Sequence, residues 1–526
     1  MKLPVEFENR MKEYLGEEYE AFIASYDEPE VKGLRLNKLF DLDKVPALAK
    51  MTELGDRNYN SVPWMNEAFY YELGNETCED GTIGEKSVVS VKSTSADALS
   101  KRPGKHPYHE GGAYYIQEPS AMAPVVYLDV KPGDRVLDLC AAPGGKSTQI
   151  AGFLQGEGIL ITNEIMPDRA RILSENIERM GVRNALVISE DPRNISDKFA
   201  GFFDKILVDA PCSGEGMFRR SETAINEWSL ENVKLCAERQ EWILDEAYKM
   251  LAPGGRLVYS TCTFAKEEDE EQVKSFVSRH TDMSIADMPL YEGMRQGFDG
   301  IGVRLFPHMI KGEGHYVCAF KKSGDNSMKV PPVCGYEADI TKKDREELKD
   351  MFDFAEDFFK GTSFAEYFSE RRITRFKDQI YLLPKDCPSL KGLKVLRPGL
   401  HLGTILKNRF EPGHALAMAV DISEVKNACN INLEGQEVYK YFRGETFNIM
   451  PEMIKTSKPQ ENQLVTQDVV KTKKRKNDQN SQSKKDKTGS DNWYVIFVDG
   501  LSIGWGKLTN EIMKNHYPKG LRKSLT

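Results

Sequence analysis

Two cysteines follow predicted strands directly: Cys212 in the segment DAPCSGEGMFR and Cys262 in the segment STCTF. The carboxyl ends of parallel strands meet at one edge of a sheet, so both thiols are expected at the same rim. A single free cysteine is most often an inert core residue. Two at one edge, each beside polar and turn residues, instead indicate a thiolate nucleophile, and Asp209, three residues before Cys212, could supply an acid beside it.

Methylation of cytosine at C5 is a reaction that needs these groups. C5 is a poor nucleophile until a thiolate adds to C6 and converts the ring into an enamine-like species, which can attack a sulfonium methyl group. A proton then leaves C5 and the thiolate is eliminated. An acid near N3 must supply or share a proton while charge develops there, and Asp209 is placed to do so.

The segment LDLCAAPGGKSTQIA predicts a strand, a tight loop and a helix that begins at about Lys146. Small residues and a glycine pair let the backbone approach a ligand at a helix N-terminus. The Walker loop does not fit, because its first glycine would fall on Cys140. The dinucleotide fingerprint G-x-G-x-x-G is also absent. The spacing therefore argues against both an ATPase and a dehydrogenase.

Acidic residues end the next two predicted strands. Glu164 lies about 20 positions after the glycine pair, where ribose hydroxyls require an acceptor. Asp191 ends the third strand and could meet an adenine edge, although Glu190 is adjacent and the register there is open by one residue. Together these residues suggest S-adenosylmethionine (AdoMet). In the alternative interpretation Gly144 and Gly145 only make a turn and Glu164 caps the following helix.

The motifs CAAPGGKS, NE, DAPCSGEGMFR and YSTCTF occur in this order, and the chain resembles the Nop/Sun-type RNA cytosine-5 methyltransferases. Within that family it is most similar to the bacterial ribosomal-RNA small-subunit methyltransferase F group. The resemblance implies that Cys262 attacks C6 and that Cys212 helps release the product. DNA cytosine methyltransferases use the P-C cysteine as nucleophile instead, so two cysteines favour RNA. The resemblance also implies AdoMet-binding residues, namely Cys140, Ala141, Ala142, Pro143, Gly144, Gly145, Lys146, Glu164, Asp191 and Asp209.

Short apolar runs alternate with amphipathic segments from about 130 to 280, which is typical of βαβ units and a parallel sheet. The segment 304–322 predicts two further strands around a glycine-rich turn. We expect an α/β fold with a Rossmann-like class I AdoMet-dependent methyltransferase domain, a helical N-terminal region and a small β-rich C-terminal domain, which the resemblance makes PUA-like. The expected domains are an N-terminal RNA-binding region at 1–105, the methyltransferase domain at 106–325, a helical connection at 326–390 and the PUA-like RNA-binding domain at 391–526, with a disordered basic insertion at about 455–491.

The 526 residues include 81 acidic and 72 basic side chains, for a formal net charge of −9. No apolar run is long enough to span a membrane, and the charged start has no signal-peptide h-region. Nine scattered cysteines suit a reducing cytoplasm, and no zinc spacing is present. We therefore expect a cytoplasmic protein without membrane or metal, acting as a monomer.

Phosphate binding needs local positive charge whatever the total. Three patches offer it: Phe218–Arg220 after the P-C motif, the tail KNHYPKGLRKS with Tyr517 for stacking, and the basic tract 471–487, which could equally be a solvated loop. His308 and His315 could contact RNA or be ordinary strand histidines.

The function expected from these features is AdoMet-dependent cytosine-C5 methylation of structured RNA, with 16S ribosomal RNA as the leading substrate. Two alternatives stay open: the same chemistry on transfer RNA, and a non-catalytic RNA-binding factor for ribosome assembly. The presence of Asp209, Cys212 and Cys262 argues against the second, because a pure binder has no use for two rim thiols. The sequence does not name the nucleotide, nor whether naked RNA or an assembled subunit is modified.

Overall fold

The computed structural model describes residues 2–41, 61–71, 103–325, 327, 329–407, 409–456 and 492–525. The basic tract 471–487 and nearly all of the predicted insertion at 455–491 lie outside these ranges. No helix among the described residues is long and apolar enough to cross a membrane.

A ten-stranded sheet forms the centre of the molecule, and its five parallel strands stand in the order β7-β6-β5-β8-β9. Antiparallel strands extend it beyond β9, as the glycine-rich turn predicted. The strands of this sheet are β5 Arg135–Asp138, β6 Ile159–Asn163, β7 Ala185–Ile188, β8 Phe203–Asp209, β9 Leu251–Thr261, β10 Met283–Ile285, β11 Arg295–Gln296, β12 Val303–Leu305, β13 His315–Lys322 and β16 Val395–Arg397.

Apolar residues on both faces of the parallel strands explain why these segments are buried rather than amphipathic. Neighbours such as Leu160 and Ile161 point to opposite sides of the sheet and enter two separate hydrophobic clusters. The helices that flank the sheet are Ala123–Leu128, Gly145–Leu154, Pro167–Arg179, Pro192–Ser196, Leu230–Met250 and Glu270–Arg279, with the short Glu222–Glu227 beside them. The predicted Rossmann-like α/β arrangement is confirmed.

The N-terminal region combines two helices, Val5–Leu15 and Tyr19–Ala24, with a small antiparallel sheet in the order β2-β3-β1-β4. Its strands are β1 Lys32–Leu36, β2 Ser61–Val62, β3 Met65–Tyr71 and β4 Tyr114–Gln117, and the short helix Pro107–Glu110 precedes β4. Because β4 pairs with β1, this sheet continues past the predicted boundary at residue 105.

Two further sheets follow in the C-terminal part. The four-stranded sheet β14-β15-β17-β18 packs with helices Lys342–Glu347, Lys349–Phe359 and Ser363–Ser369. The six-stranded sheet β20-β24-β23-β22-β19-β21 accompanies helices His414–Met418 and Gln436–Arg443. These strands are β14 Ile373–Phe376, β15 Gln379–Leu382, β17 Leu400–Leu406, β18 Arg409–Pro412, β19 Asn427–Ile431, β20 Phe447–Asn448, β21 Ile454–Thr456, β22 Trp493–Val498, β23 Leu501–Thr509 and β24 Ile512–Asn515.

The predicted division at residue 390 does not follow these sheets. Strands β14 and β15 lie before it and pair with β17 after it, so the segment 326–390 is not purely helical. Strand β16 instead pairs antiparallel with β7 and extends the central sheet. The boundaries of these sheets depend on pairing between segments that are distant in sequence. Amino-acid composition does not predict such pairing.

Candidate active site

The two cysteines lie together at the carboxyl edge of the central sheet. Asp209 ends β8 and stands opposite Ser260 of the parallel strand β9, so the turns that follow these strands begin side by side. Those turns bring the Sγ atoms of Cys212 and Cys262 to 3.3 Å from each other. The expectation that both thiols share one rim therefore agrees with the geometry. The hydrogen bond with Cys262, together with burial, raises the pKa of Cys212 well above its usual value, which keeps this thiol protonated.

Asp209 carries three polar neighbours. Its Oδ2 accepts from Lys146 Nζ at 2.8 Å, its Oδ1 accepts from Ser260 Oγ at 2.7 Å, and His315 Nε2 lies 3.5 Å from Oδ1. Burial alone would raise the pKa of Asp209, but the positive charge of Lys146 and the neighbouring His315 outweigh it and hold the pKa below the ordinary range. The isolated site thus contains a carboxylate that accepts a hydrogen bond from the ammonium group of Lys146.

Residues near Cys212 also fix the main chain at Cys262. The backbone N–H of Gly216 donates to the Cys262 carbonyl at 2.8 Å, and Glu215 Oε2 accepts from the N–H of Phe264 at 2.8 Å. A Cβ atom at Gly216 would lie 3.0 Å from the Cys262 oxygen, so a glycine permits this approach. These hydrogen bonds join the turn after β8 to the turn after β9.

The loop between β5 and the helix Gly145–Leu154 has the form that CAAPGGKS predicted. Gly144 has a φ of 112°, a conformation that side chains other than glycine rarely adopt. The N-terminal region supports this loop through Arg35, which is fully buried. Arg35 donates to the Gly145 carbonyl at 3.0 Å and to Thr148 Oγ1 at 2.8 Å. Sequence reasoning missed Arg35, which lies in the segment GLRLN at residues 33–37.

Asp138, at the end of β5, is a second residue that sequence reasoning missed. Its carboxyl group is fully buried beneath the loop, and Ser147 Oγ donates to Oδ2 at 2.6 Å. Burial raises the pKa of Asp138 to about 7, with the hydrogen bond from Ser147 opposing that shift. Asp138 therefore fixes the first turn of the helix to the end of β5.

Glu164 lies at the same edge, just after β6, and its carboxylate is almost completely buried. Glu164 Oε1 accepts from the N–H of Met166 at 3.0 Å, and Oε2 lies 3.3 Å from Arg169. Ile165 and Met166, directly after it, are 52% and 56% exposed. A buried acceptor beside exposed apolar side chains suits a nucleoside, which offers sugar hydroxyls and a flat apolar base.

Asp191 and the adjacent Glu190 have different surroundings. Asp191 caps the helix Pro192–Ser196 and pairs with Arg193 at 2.8 Å, and these hydrogen bonds outweigh burial and lower the pKa of Asp191. The buried Glu190 accepts from the N–H of Lys394 at 2.6 Å and from Asn194 at 3.1 Å. Asp191 is the more accessible of the two carboxylates, which favours the register that the sequence suggested.

Two of the patches predicted to contact RNA, Phe218–Arg220 and the C-terminal tail, include residues that are buried instead. The Arg219 side chain is 6% exposed, pairs with Glu313 at 2.7 Å and donates to the carbonyls of Ser25 and Gly312, so it is a structural residue. Arg220 is exposed and pairs with Glu30 at 2.7 Å. Tyr517 packs in the core with Tyr441 and is not a stacking platform.

Lys514, Lys519 and Arg522 in the tail are exposed, as a phosphate-binding surface requires. The imidazole of His308 contacts an acidic side chain of the protein itself, with 3.3 Å between Nε2 and Glu18 Oε2. No group of His, Cys, Asp or Glu side chains with the arrangement of a metal site occurs in the described part of the chain.

The strand order and the loop at its reversal point define a Rossmann-like domain, and comparison with known proteins identifies it as a methyltransferase domain. Residues 125–321 match the family model of 16S rRNA methyltransferase RsmB/F. Three further models match: the N-terminal domain of 16S rRNA methyltransferase RsmF at 3–83, the first C-terminal domain of RsmF at 353–420 and the RsmF PUA domain at 475–523.

Curated relatives extend over most of the chain. Ribosomal RNA small subunit methyltransferase F of Vibrio parahaemolyticus is 30% identical over 454 residues, which cover 84% of this chain and 87% of the relative. The protein of the same name from Serratia proteamaculans is 30% identical over 433 residues, 80% of this chain and 83% of the relative. The chain belongs to the ribosomal RNA small subunit methyltransferase F family.

A solved structure agrees in fold. The crystal structure of PH0851 superposes with a TM-score of 0.50 at 23% identity and covers 61% of this chain and 66% of its own. The predicted family and the predicted PUA-like C-terminal domain are confirmed by these matches.

Proposed function

We propose that this protein transfers the methyl group of AdoMet to C5 of a cytosine in small-subunit ribosomal RNA. The observation that carries the proposal is the pair of thiols 3.3 Å apart beside an ionised Asp209, in a family of ribosomal RNA methyltransferases. A binding protein without catalytic activity has no need of either thiol.

Cys262 is the nucleophile in this proposal. Its thiolate adds to C6, so an S–C6 bond forms and the electron pair of the C5–C6 double bond becomes available at C5. That pair forms the new carbon–carbon bond to the methyl group, while the bond from that methyl group to the sulfonium sulfur breaks and its electron pair stays on the sulfur. The C5 proton then passes to water, the double bond re-forms and the S–C6 bond breaks.

Cys212 assists the last of these steps. Its raised pKa keeps it protonated, and its Sγ lies 3.3 Å from Cys262 Sγ. A protonated thiol at this distance donates a hydrogen bond to the departing thiolate and so stabilises the leaving group. Without Cys212 the adduct should persist.

The pair of Lys146 and Asp209 supplies selectivity for cytosine. Cytosine presents an acceptor at N3 beside a donor at its 4-amino group, whereas uracil presents the reverse. The Lys146 ammonium group is the donor for N3 and stabilises the charge that develops there. The Asp209 carboxylate is the acceptor for the amino group, and the two side chains are fixed 2.8 Å apart.

AdoMet supplies an electrophilic sulfonium methyl group when bound. The residues proposed to hold it are the loop 140–146, Glu164 for the ribose hydroxyls and Asp191 for the adenine edge. The exposed Ile165 and Met166 provide an apolar surface for the base. Gly144 and Gly145 are buried, and a Cβ atom there would lie 3.1 Å from Leu173 and 3.3 Å from Gln117, so the glycines let neighbouring side chains pack closely against the loop.

The experiment is methylation in vitro with AdoMet carrying a labelled methyl group, on naked 16S ribosomal RNA, on small subunits and on transfer RNA. Nucleoside mass spectrometry and bisulfite sequencing of RNA from a deletion strain then identify base and position. Labelled 5-methylcytidine in ribosomal RNA supports the proposal. Label in another nucleoside, or in transfer RNA alone, contradicts it.

We further propose that the enzyme works in the cytoplasm as a monomer, since one chain contains every group of the site.

A further inference from the structure

Glu268 is a buried carboxylate at the start of the helical segment after Cys262, and the proposed reaction does not use it. Its side chain is fully buried. Oε2 accepts from the backbone N–H of Ser213 at 3.0 Å and from Gln240 Nε2 at 2.8 Å, and Oε1 accepts from the Ser213 hydroxyl. Three buried donor groups thus converge on one carboxylate beside the thiols.

The partners of Glu268 connect it to the residues beside the two cysteines. Ser213 follows Cys212, and its hydroxyl lies 2.8 Å from the hydroxyl of Thr263, which follows Cys262. Gln240 also donates to the carbonyl of Pro211 at 3.0 Å, so it holds the residue before Cys212. A single carboxylate therefore connects both turns through Ser213, Thr263 and Gln240, which together with Glu268 we call the Glu268 network.

A buried carboxylate destabilises a fold unless hydrogen bonds compensate it. Burial raises the pKa of Glu268 to about 7, with the hydrogen bond from Ser213 opposing the shift. Removing the carboxylate would leave the Ser213 N–H and the Gln240 amide without their acceptor. These donors would be satisfied only by local movement, and that movement would shift the residues on either side of Cys212.

We propose that Glu268 is a positioning residue that fixes the separation of the two thiols and thereby controls how fast the Cys262–RNA adduct is released. The consequence for RNA rests on the proposed function. The consequence for the distance between the thiols does not, and it is measured without RNA or AdoMet.

Two substitutions at this position separate charge from connectivity. In Glu268→Gln the amide oxygen can accept from the two N–H groups, and the amide NH2 can donate to the Ser213 oxygen, whose hydroxyl then turns toward Thr263. Glu268→Ala removes every connection. Glu246→Ala is the matched control, because Glu246 is also buried and accepts from a serine hydroxyl, that of Ser196 in another helix.

The first measurement is the affinity of phenylarsine oxide, whose arsenic binds two sulfur atoms at once with release of water, and Cys212→Ala serves as the blank. Wild type, Glu268→Gln and Glu246→Ala are expected to bind alike, and Glu268→Ala about tenfold more weakly. Equal binding by Glu268→Ala and wild type overturns the proposal, and so does a wild type that binds no better than the blank.

The second measurement is the fraction of enzyme trapped as a covalent RNA complex on a denaturing gel. Glu268→Ala should accumulate adduct at unchanged AdoMet affinity, and Glu268→Gln should restore release. If Glu268→Ala loses affinity for the arsenical but no protein forms adduct, the proposed function fails while the positioning role stands. Should Glu268→Ala not fold, Thr263→Val removes one hydroxyl from the network at similar shape, and unaltered arsenical binding by that variant would refute the proposal.

Discussion

The rim that carries the two thiols and the basic C-terminal tail differ in how their polar side chains are held. At the rim, Asp209, Ser213 and Glu268 each have several hydrogen-bond partners drawn from different strands and helices. In the tail, Lys514 and Lys519 are exposed. The rim side chains are therefore held at fixed distances from one another, whereas the two tail cations are accessible from solvent.

The tail, which looks like a single RNA-binding motif in the sequence, contains both buried and exposed residues in the structure. Tyr517 is buried among Tyr441 and Phe442, and Lys523 pairs with Glu110 at 2.6 Å. These residues anchor the tail to the fold, whereas Lys514, Lys519 and Arg522 remain exposed. Substitutions at the rim should therefore have large effects on catalysis, and substitutions in the tail small effects on affinity.

Cys262→Ala should have the largest effect. Loss of the nucleophile should lower the methylation rate by roughly 10⁴-fold or more, with AdoMet affinity unchanged. Radiolabel transfer to ribosomal RNA measures the rate. Cys236→Ala is the control, because Cys236 is a buried thiol in the helix Leu230–Met250. Retention of more than a few per cent of activity by Cys262→Ala would exclude its assigned role.

Asp209→Asn should follow, with a rate loss of roughly 10²–10³-fold. The amide cannot hold Lys146 by charge, and its orientation toward the cytosine amino group is no longer fixed. Asp245→Asn, at a pair with Arg279 near the surface, serves as control. Near-normal single-turnover rates in Asp209→Asn would show that the pair of Lys146 and Asp209 does not contact the reacting base.

Glu164→Ala should weaken AdoMet binding by roughly 1–3 kcal/mol, since a charged hydrogen bond to a ribose hydroxyl is lost. Calorimetry measures the affinity directly. Glu175→Ala, on the exposed face of the following helix, should leave it unchanged. Equal affinities of the two variants would place the ribose contact at another residue.

Replacing Lys514, Lys519 and Arg522 together with Ala should have the smallest effect. RNA affinity should fall by several-fold at moderate salt, and the salt dependence should flatten by up to about three counterions. The exposed Lys342, Lys343 and Lys360 provide a control with the same charge change. If both triple variants bind alike with the same salt slope, the tail is not an RNA anchor.

Local sequence patterns predicted the parts of this molecule that depend on local structure. Parallel strands require runs such as ILITN and KILVD, which are recognisable without a structure, and each cysteine is defined by its place after such a strand. The strand–loop–helix at CAAPGGKS is equally local. These features sufficed to place Cys212 and Cys262 at one rim.

Contacts between distant segments could not be predicted in this way. Arg219 looked like a free cation, but Glu313 lies 94 residues later in the chain and neutralises it. Arg35 is 110 residues from the Gly145 carbonyl that it holds. Likewise, β15 pairs with β17 in the four-stranded C-terminal sheet, whereas β16, which lies between them in the chain, pairs with β7 of the central sheet. In each case the role of the residue or strand depends on a tertiary contact with a distant segment. A single sequence does not show that contact.

The central claim is the division of labour between the two thiols, and trapping of the RNA adduct tests it most directly. Wild type, Cys212→Ala, Cys262→Ala and the double variant are incubated with AdoMet and 16S ribosomal RNA and analysed on a denaturing gel. Cys212→Ala alone should form a stable covalent complex that contains 5-methylcytosine, because Cys262 attacks and cannot be released. A stable complex in Cys262→Ala instead, with none in Cys212→Ala, would contradict the account and exchange the roles of the two cysteines.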